Sequence, residues 1–345
     1  MVAWPSGAQI HLDELMREKM KKLLLASTAL VTSAGIAAAE VSVVGSAEVG
    51  IFQNENASGD GSSGDLEKVR VFTDIDVTFA MSGEADNGLS FGATIDLDEL
   101  DGDGDTSDAA RMPDANMFLA FGPARLSIGD TDSAFDARLT EVAVGGAIND
   151  DHTVHPGYNG NSALDEAYGG QEIRLDYTFD AFTGSISVSP DRNATDFDMA
   201  WAIGASYSTE LAGLDLSLGL GYIEVDEASA LYDSIIGVSV ATTFDNGLSA
   251  TLNFSSWSDD SSNGADDATH YAIGLGYTMN ALTLGLNYGE YDVDDNFAAD
   301  SSGYGFTANY DLGGGLEAQL GYGGGDIDGA ADYEDTFSLG LSMSF

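Results

Sequence analysis

Apolar and polar residues alternate one by one along most of this chain, which is the period of a β-strand. Between Lys68 and Ser82, Val69, Val71, Ile75, Val77, Phe79 and Met81 fall on one face, and Arg70, Asp74, Asp76 and Thr78 on the other. Leu214, Leu216, Leu218, Leu220 and Tyr222 alternate with Asp215, Ser217, Gly219 and Gly221, and the run from Leu282 to Gly289 repeats the pattern. Sixteen such segments are legible, beginning near Val41, Lys68, Gly88, Ala115, Ala124, Glu172, Thr183, Asp198, Leu214, Ser234, Leu248, Thr269, Ala281, Gly303, Leu316 and Thr336. Tight turns join alternate pairs, at Asp86-Asn87-Gly88, Gly122-Pro123, Asp180-Ala181, Asp245-Asn246-Gly247, Asn280-Ala281 and Gly313-Gly314-Gly315. Between these turns fall longer loops rich in Asp, Ser and Gly.

An even strand count, with short turns at one end and long polar loops at the other, is the signature of an outer-membrane β-barrel. Hydrocarbon cannot satisfy backbone N–H and C=O groups, so a sheet in lipid must close on itself. A soluble sandwich or β-helix would put its polar face outward around an apolar core. Here one face is Leu, Val, Phe and Tyr over some sixteen strands, while the other is Gly, Ser, Thr, Asn and Asp, which packs poorly as a core. The expectation is an all-β, 16-stranded antiparallel transmembrane barrel. The last strand adds a signal of its own, because Phe337, Leu339, Leu341, Met343 and Phe345 alternate to a terminal Phe.

One stretch breaks the rhythm. Arg125 to Gly129 alternates, and regular pattern resumes only at Glu172, so Asp130 to Gly170 is an irregular segment of roughly forty residues, long enough to demand a function. It is the third long loop and has an apolar part, Leu139, Val142, Val144 and Ile148. A wholly external loop rarely carries such residues. Packed against the inner wall of the barrel they are explained, and the loop would then narrow a pore; a cap over a subunit contact is the other explanation.

Composition fits this picture. The 345 residues carry 11 Lys+Arg against 58 Asp+Glu, a formal charge of −47, and no Cys. A disulfide framework is excluded, and nucleic acid is an unsuitable partner for so acidic a surface. At 43% hydrophobic and 10% aromatic residues with a two-residue period, the chain is not a solvated acidic tail. Met20-Lys21-Lys22, the apolar run Leu23 to Ile36 and Ala37-Ala38-Ala39 read as a signal peptide over 20–39. The apolar run is too short for a membrane span. Residues 1–19 precede a good signal start and read as a misassigned upstream start, leaving 40–345 as the barrel.

Nothing reads as an enzyme: there is no Gly-x-Ser-x-Gly, no His-Glu-x-x-His and no P-loop. His152 and His155, beside Asp150 and Asp151, permit a metal site but offer no third ligand at a fixed spacing. Asp101, Asp103 and Asp105 begin like a calcium loop, but Thr106 and Met112 stand where an EF-hand needs Gly and Glu. Looser coordination of Ca²⁺ by these surface carboxylates is the expectation that remains. Seven basic residues follow Ala39, none after Arg192. Alternation puts Arg70, Arg125 and Arg174 on the polar side of their strands, and the last two flank the long loop.

The chain resembles the general diffusion porins of alphaproteobacteria. Glu40-Val41-Ser42-Val43-Val44-Gly45 resembles their mature start, and Met81-Ser82-Gly83 with Asn87-Gly88-Leu89-Ser90-Phe91-Gly92-Ala93 their second hairpin. Phe121-Gly122 through Ile128-Gly129-Asp130 matches the strand leading into the constriction loop, and Tyr310-Asp311-Leu312-Gly313-Gly314-Gly315 the last periplasmic turn. The resemblance implies a homotrimer in the outer membrane, a third loop folded inward, and passive diffusion of small hydrophilic solutes. It also implies wall arginines, here Arg70, Arg125 and Arg174, facing loop carboxylates across a narrow opening. For those carboxylates the candidates are Asp130, Asp132, Asp136, Glu141 and Asp150. So many lumen carboxylates lead to an expected preference for cations. The competing functional class is a structural or adhesive barrel whose acidic external loops bind Ca²⁺.

Overall fold

The computed structural model describes residues 40–53, 69–98, 115–148, 155–162, 164, 171–190, 199–211, 213–225, 232–258, 267–294, 299–329 and 335–345. Among them are sixteen strands. The first eight are β1 (Glu40–Gln53), β2 (Arg70–Glu84), β3 (Ser90–Asp98), β4 (Ala115–Phe121), β5 (Ala124–Gly129), β6 (Glu172–Phe179), β7 (Phe182–Pro190) and β8 (Met199–Leu211). The remainder are β9 (Leu214–Val225), β10 (Ser234–Phe244), β11 (Leu248–Ser258), β12 (Ala268–Met279), β13 (Leu282–Val293), β14 (Ser301–Gly313), β15 (Leu316–Ile327) and β16 (Thr336–Ser344). Each strand pairs antiparallel with its sequence neighbours, and β16 closes on β1, so no sheet edge is left open. Every strand begins within two residues of the start that alternation predicts.

The closing register runs from Ser46 opposite Ser344 to Gln53 opposite Phe337. Phe345 then donates its N–H to Gly45 O at 2.8 Å. That seam is why the chain ends in an alternating strand: without β16, β1 would expose a row of unpaired backbone groups to lipid.

The apolar face points outward. Val71, Ile186 and Leu252 are 71%, 56% and 53% exposed, as expected of side chains whose solvent is hydrocarbon. The tight turns hold the strained conformations their residues were suited to, with φ of 55° at Asp180 and at Asn280 and 86° at Gly247.

The inner face departs from expectation on one side. Ala200, Ala202, Ile223, Val225, Ile235, Trp257 and Ala268 point inward from β8 to β12, near the long-loop end, and are buried with Phe135 and Leu164 of the long loop. A soluble-type core is thus built inside the barrel. The polar inner face of these strands does pack, because the loop lies on it.

Candidate pore constriction

The loop after β5 turns into the lumen at once. Ser133 braces the approach to a single turn of 3-10 helix, Asp136–Arg138, by accepting the N–H groups of Phe135 and Asp136 on its Oγ at 3.2 Å each. Ala134 donates its N–H to Ser187 Oγ of β7 at 2.8 Å. Phe135, 1% exposed, lies over Gly221 of β9 and Gly237 of β10, where a Cβ would come within 2.7 and 2.8 Å of its ring.

From there the first limb is stitched to one strand after another. Thr140 donates to Ser239 Oγ of β10 at 2.9 Å and its carbonyl accepts from Asn253 of β11 at 3.1 Å. Val142, buried, passes over Gly274 of β12, and Val144 over Gly285 of β13. Val144 O accepts from Thr307 Oγ1 of β14 at 2.6 Å. Asn309, also on β14, holds both polar groups of Gly146, accepting at 3.3 Å and donating at 2.9 Å. Ile148, fully buried, ends the limb on the facing glycines Gly50 of β1 and Gly340 of β16.

A second limb returns along the same wall. Ser301 Oγ donates to Pro156 O at 2.8 Å, and His155 Nε2 donates to Asn287 Oδ1 of β13 at 2.8 Å. His270 Nε2 of β12 donates to Gly157 O at 3.0 Å. Asn159 Nδ2 donates to Ser255 Oγ of β11 at 3.3 Å, and Asn161 Oδ1 accepts from Asn253 at 3.1 Å. The loop therefore coats the wall from β7 round to β1. The described contacts of the loop lie on β7 to β15 and on the seam of β1 with β16.

The site residues expected from sequence are dispersed over this arrangement. Arg174 lies at the root of the loop: Nη1 donates to Asp132 O at 2.6 Å and stands 3.7 Å from Asp132 Oδ2, while Nε donates to Asp176 Oδ2 at 3.2 Å. Arg125 points into the lumen toward the short-turn end, its guanidinium carbon 3.8 Å from the ring centre of Phe118. Arg70 opens β2 opposite Phe52. Asp136 begins the 3-10 turn, Glu141 accepts a hydrogen bond from Tyr158 OH, and Asp130 donates its N–H to Ala115 O at 3.0 Å. Asp150, His152, Asp101, Asp103 and Asp105 lie outside the described residues. Among the described residues no group of three His, Asp or Glu side chains is placed to hold a metal ion.

One residue was missed in the sequence, and one group already on the polar face was not singled out as a site. Arg138, at the end of the 3-10 turn, sends Nη2 to 3.9 Å from Asp176 Oδ1. The wall of β1 to β3 is acidic: Glu48 faces Asp74 across the β1–β2 ladder, with Asp76 on β2 and Asp96 on β3. Asp76 accepts from Ser46 Oγ at 2.9 Å and Asp96 from Thr78 Oγ1 at 3.1 Å. Burial lowers the pKa of His155, its hydrogen bond to Asn287 opposing the shift only in part. Burial likewise lowers that of Arg138, with Asp176 pulling it back up.

A closed barrel of sixteen strands, apolar outside and narrowed by its own third long loop, is the architecture of a diffusion pore. A model of the Gram-negative porin family matches residues 26–330. The chain belongs to that family. It is an outer-membrane diffusion pore, with long loops at the extracellular end and short turns in the periplasm. No curated protein matches it closely enough to count as a relative. Among solved structures, a porin refined at 1.8 Å resolution superposes with a TM-score of 0.65 at 20% identity, over 89% of this chain and all of the other. A triple mutant of the porin from Rhodopseudomonas blastica gives 0.64 at 19% identity with the same coverage. At these identities the structures speak for the fold, and the family match speaks for the membership.

Proposed function

We propose that this pore prefers cations and that it works as a homotrimer. The first reading is carried by the acidic wall of β1 to β3. Asp76 and Asp96 are each held by a hydroxyl and, among the described residues, by no cation. Arg174 and Arg138, by contrast, are both spent on the carboxylates of Asp132 and Asp176. Glu48, Asp74, Asp76 and Asp96 on this wall outnumber the remaining lumen arginines, Arg70 and Arg125, so carboxylates dominate the field, concentrating cations and depleting anions. The reversal potential of the purified protein across a planar bilayer in a salt gradient tests this: a cation-selective sign is expected, and an anion-selective sign ends the reading.

The trimer is supported by strand length. β5 has six residues and β6 eight, whereas β8 to β15 have eleven to thirteen. At about 3.3 Å per residue and a tilt of about 40°, six residues rise only about 15 Å, short of an apolar band about 25 Å tall. This stretch of wall is suited to a second copy rather than to lipid. Its outer face also holds an apolar groove of about 440 Å³ lined by Met81, Phe91, Ala93, Met117, Leu119 and Ile128. Sedimentation in detergent that returned only the monomer mass would refute the assembly.

A further inference from the structure

The root of the constriction loop converges on one buried carboxylate. Asp176 lies on β6, 8% exposed, and both of its oxygens are engaged. Oδ1 accepts from Ser185 Oγ of β7 at 2.6 Å and stands 3.9 Å from Arg138 Nη2; Oδ2 accepts from Arg174 Nε at 3.2 Å. Each guanidinium reaches a different part of the loop. Arg174 passes its other nitrogen to the backbone carbonyl of Asp132, and Arg138 is itself the last residue of the 3-10 turn. The Cγ of Arg138 fills the space over Gly204 of β8, where a Cβ would come within 2.6 Å.

Two arginines balanced by Asp176 and Asp132 leave the group close to neutral, so its long-range field is weak. Its short-range geometry is the opposite, because charge-assisted hydrogen bonds are strong and directional. We propose that Asp176 is a positioning residue for the pore. Fixed by Ser185, it orients Arg174 and Arg138, and these hold residues 132–138 of the loop against β7 and β8. The cross-section of the opening then depends on Asp176 through the seating of the loop rather than through the charge Asp176 presents to permeating ions. Arg174 accordingly serves as a clamp as much as a lumen charge. This goes beyond the pore function and beyond its ion preference, and it survives if the pore proves unselective.

The absence of cysteine from the chain permits a clean test. Ala134 N–H donates to Ser187 Oγ at 2.8 Å, so the Ala134 backbone touches the Ser187 side chain across the loop–wall contact, and oxidised Ala134→Cys with Ser187→Cys is the covalent substitute for the clamp. In planar bilayers, Asp176→Asn is expected to show excess open-channel noise and larger substates. Loss of the charge in the hydrogen bond to Arg174 and of the ion pair with Arg138 raises the unseated population about tenfold or more. Adding the cysteine pair and oxidising it is expected to restore quiet openings, and reduction to abolish the restoration. Asp132→Asn removes the same charge but leaves the Arg174 bond to the Asp132 carbonyl, and is expected to stay quiet. If Asp176→Asn fails to assemble, as read by heat-modifiable mobility on gels, the oxidised cysteine pair is expected to restore assembly. Quiet openings in Asp176→Asn, noise or misassembly that the disulfide does not relieve, or equal noise in Asp132→Asn would each overturn the proposal.

Discussion

Gly274→Ala offers the sharpest test of how the loop is seated. A Cβ at Gly274 would lie 2.0 Å from Val142 O, 2.8 Å from its carbonyl carbon and 3.1 Å from its Cα, all backbone atoms that no rotamer change can clear. Ordinary contact begins near 3.4 Å, so something has to retreat by about 1.4 Å. Gly274 is paired on both sides, opposite Thr251 of β11 and Asn287 of β13, whereas the loop is bonded to the wall at intervals. The loop yields, and it yields toward the lumen. Forcing one extra carbon into a packed contact costs about 1–3 kcal/mol, which a barrel with a closed ladder tolerates. The expected result is a folded channel with lower unit conductance and slower uptake of the larger sugars in liposome swelling. Gly184→Ala on β7 is the control, since its Cβ would have only Phe182 Cε1 for company, at 3.7 Å. Conductance and sugar cutoff identical in the two variants would refute the close approach of loop and wall.

Other perturbations follow from the same contacts. Phe135→Ala removes the largest side chain anchoring the loop and is expected to cost about 3–5 kcal/mol, the usual range for a buried Phe; noisy openings of higher mean conductance are expected in single-channel records. Asp76→Asn with Asp96→Asn is expected to move the reversal potential toward zero at low salt and less at high salt, where screening has already weakened the field. Acid is expected to loosen the return limb. A solvated His titrates near 6.5, whereas burial between Asn287, His270 and Tyr158 lowers the pKa of His155. The released limb therefore binds more protons than the seated one, and seating is lost progressively as pH falls below about 6.5. Open-channel noise should rise over that range, and His155→Gln should move its onset to lower pH; an unchanged onset would count against this role for His155.

The strands were legible because lipid enforces the alternation. A polar side chain on the outer face costs too much to be common, so Val71, Leu218 and Leu220 could be placed from sequence, and with them the register. The turns were legible because Asn280 and Gly247 suit positive φ. The inward course of the loop showed in Val142 and Ile148, apolar residues with no business in an external loop. What the loop touches was not legible, since its partners lie up to 163 residues away, as with Gly146 and Asn309. A signal existed all the same. Glycine recurs on the inner side of β8 to β14, at Gly204, Gly219, Gly221, Gly237, Gly274, Gly285 and Gly303, and glycine within strands marks a close backbone approach. Ile235-Ile236 and Ala200-Trp201-Ala202-Ile203 broke the alternation where the inner core forms. Arg138 could not be singled out, because one basic residue in an aperiodic segment has no face until the segment has a wall.

The most direct test is single-channel recording of the purified protein in a planar bilayer. Stable, long-lived steps whose amplitude grows in proportion to salt concentration are expected of a barrel left partly open beside its seated loop. A membrane that holds the assembled protein and stays silent would contradict the reading of residues 130–164 as a constriction and make them a plug.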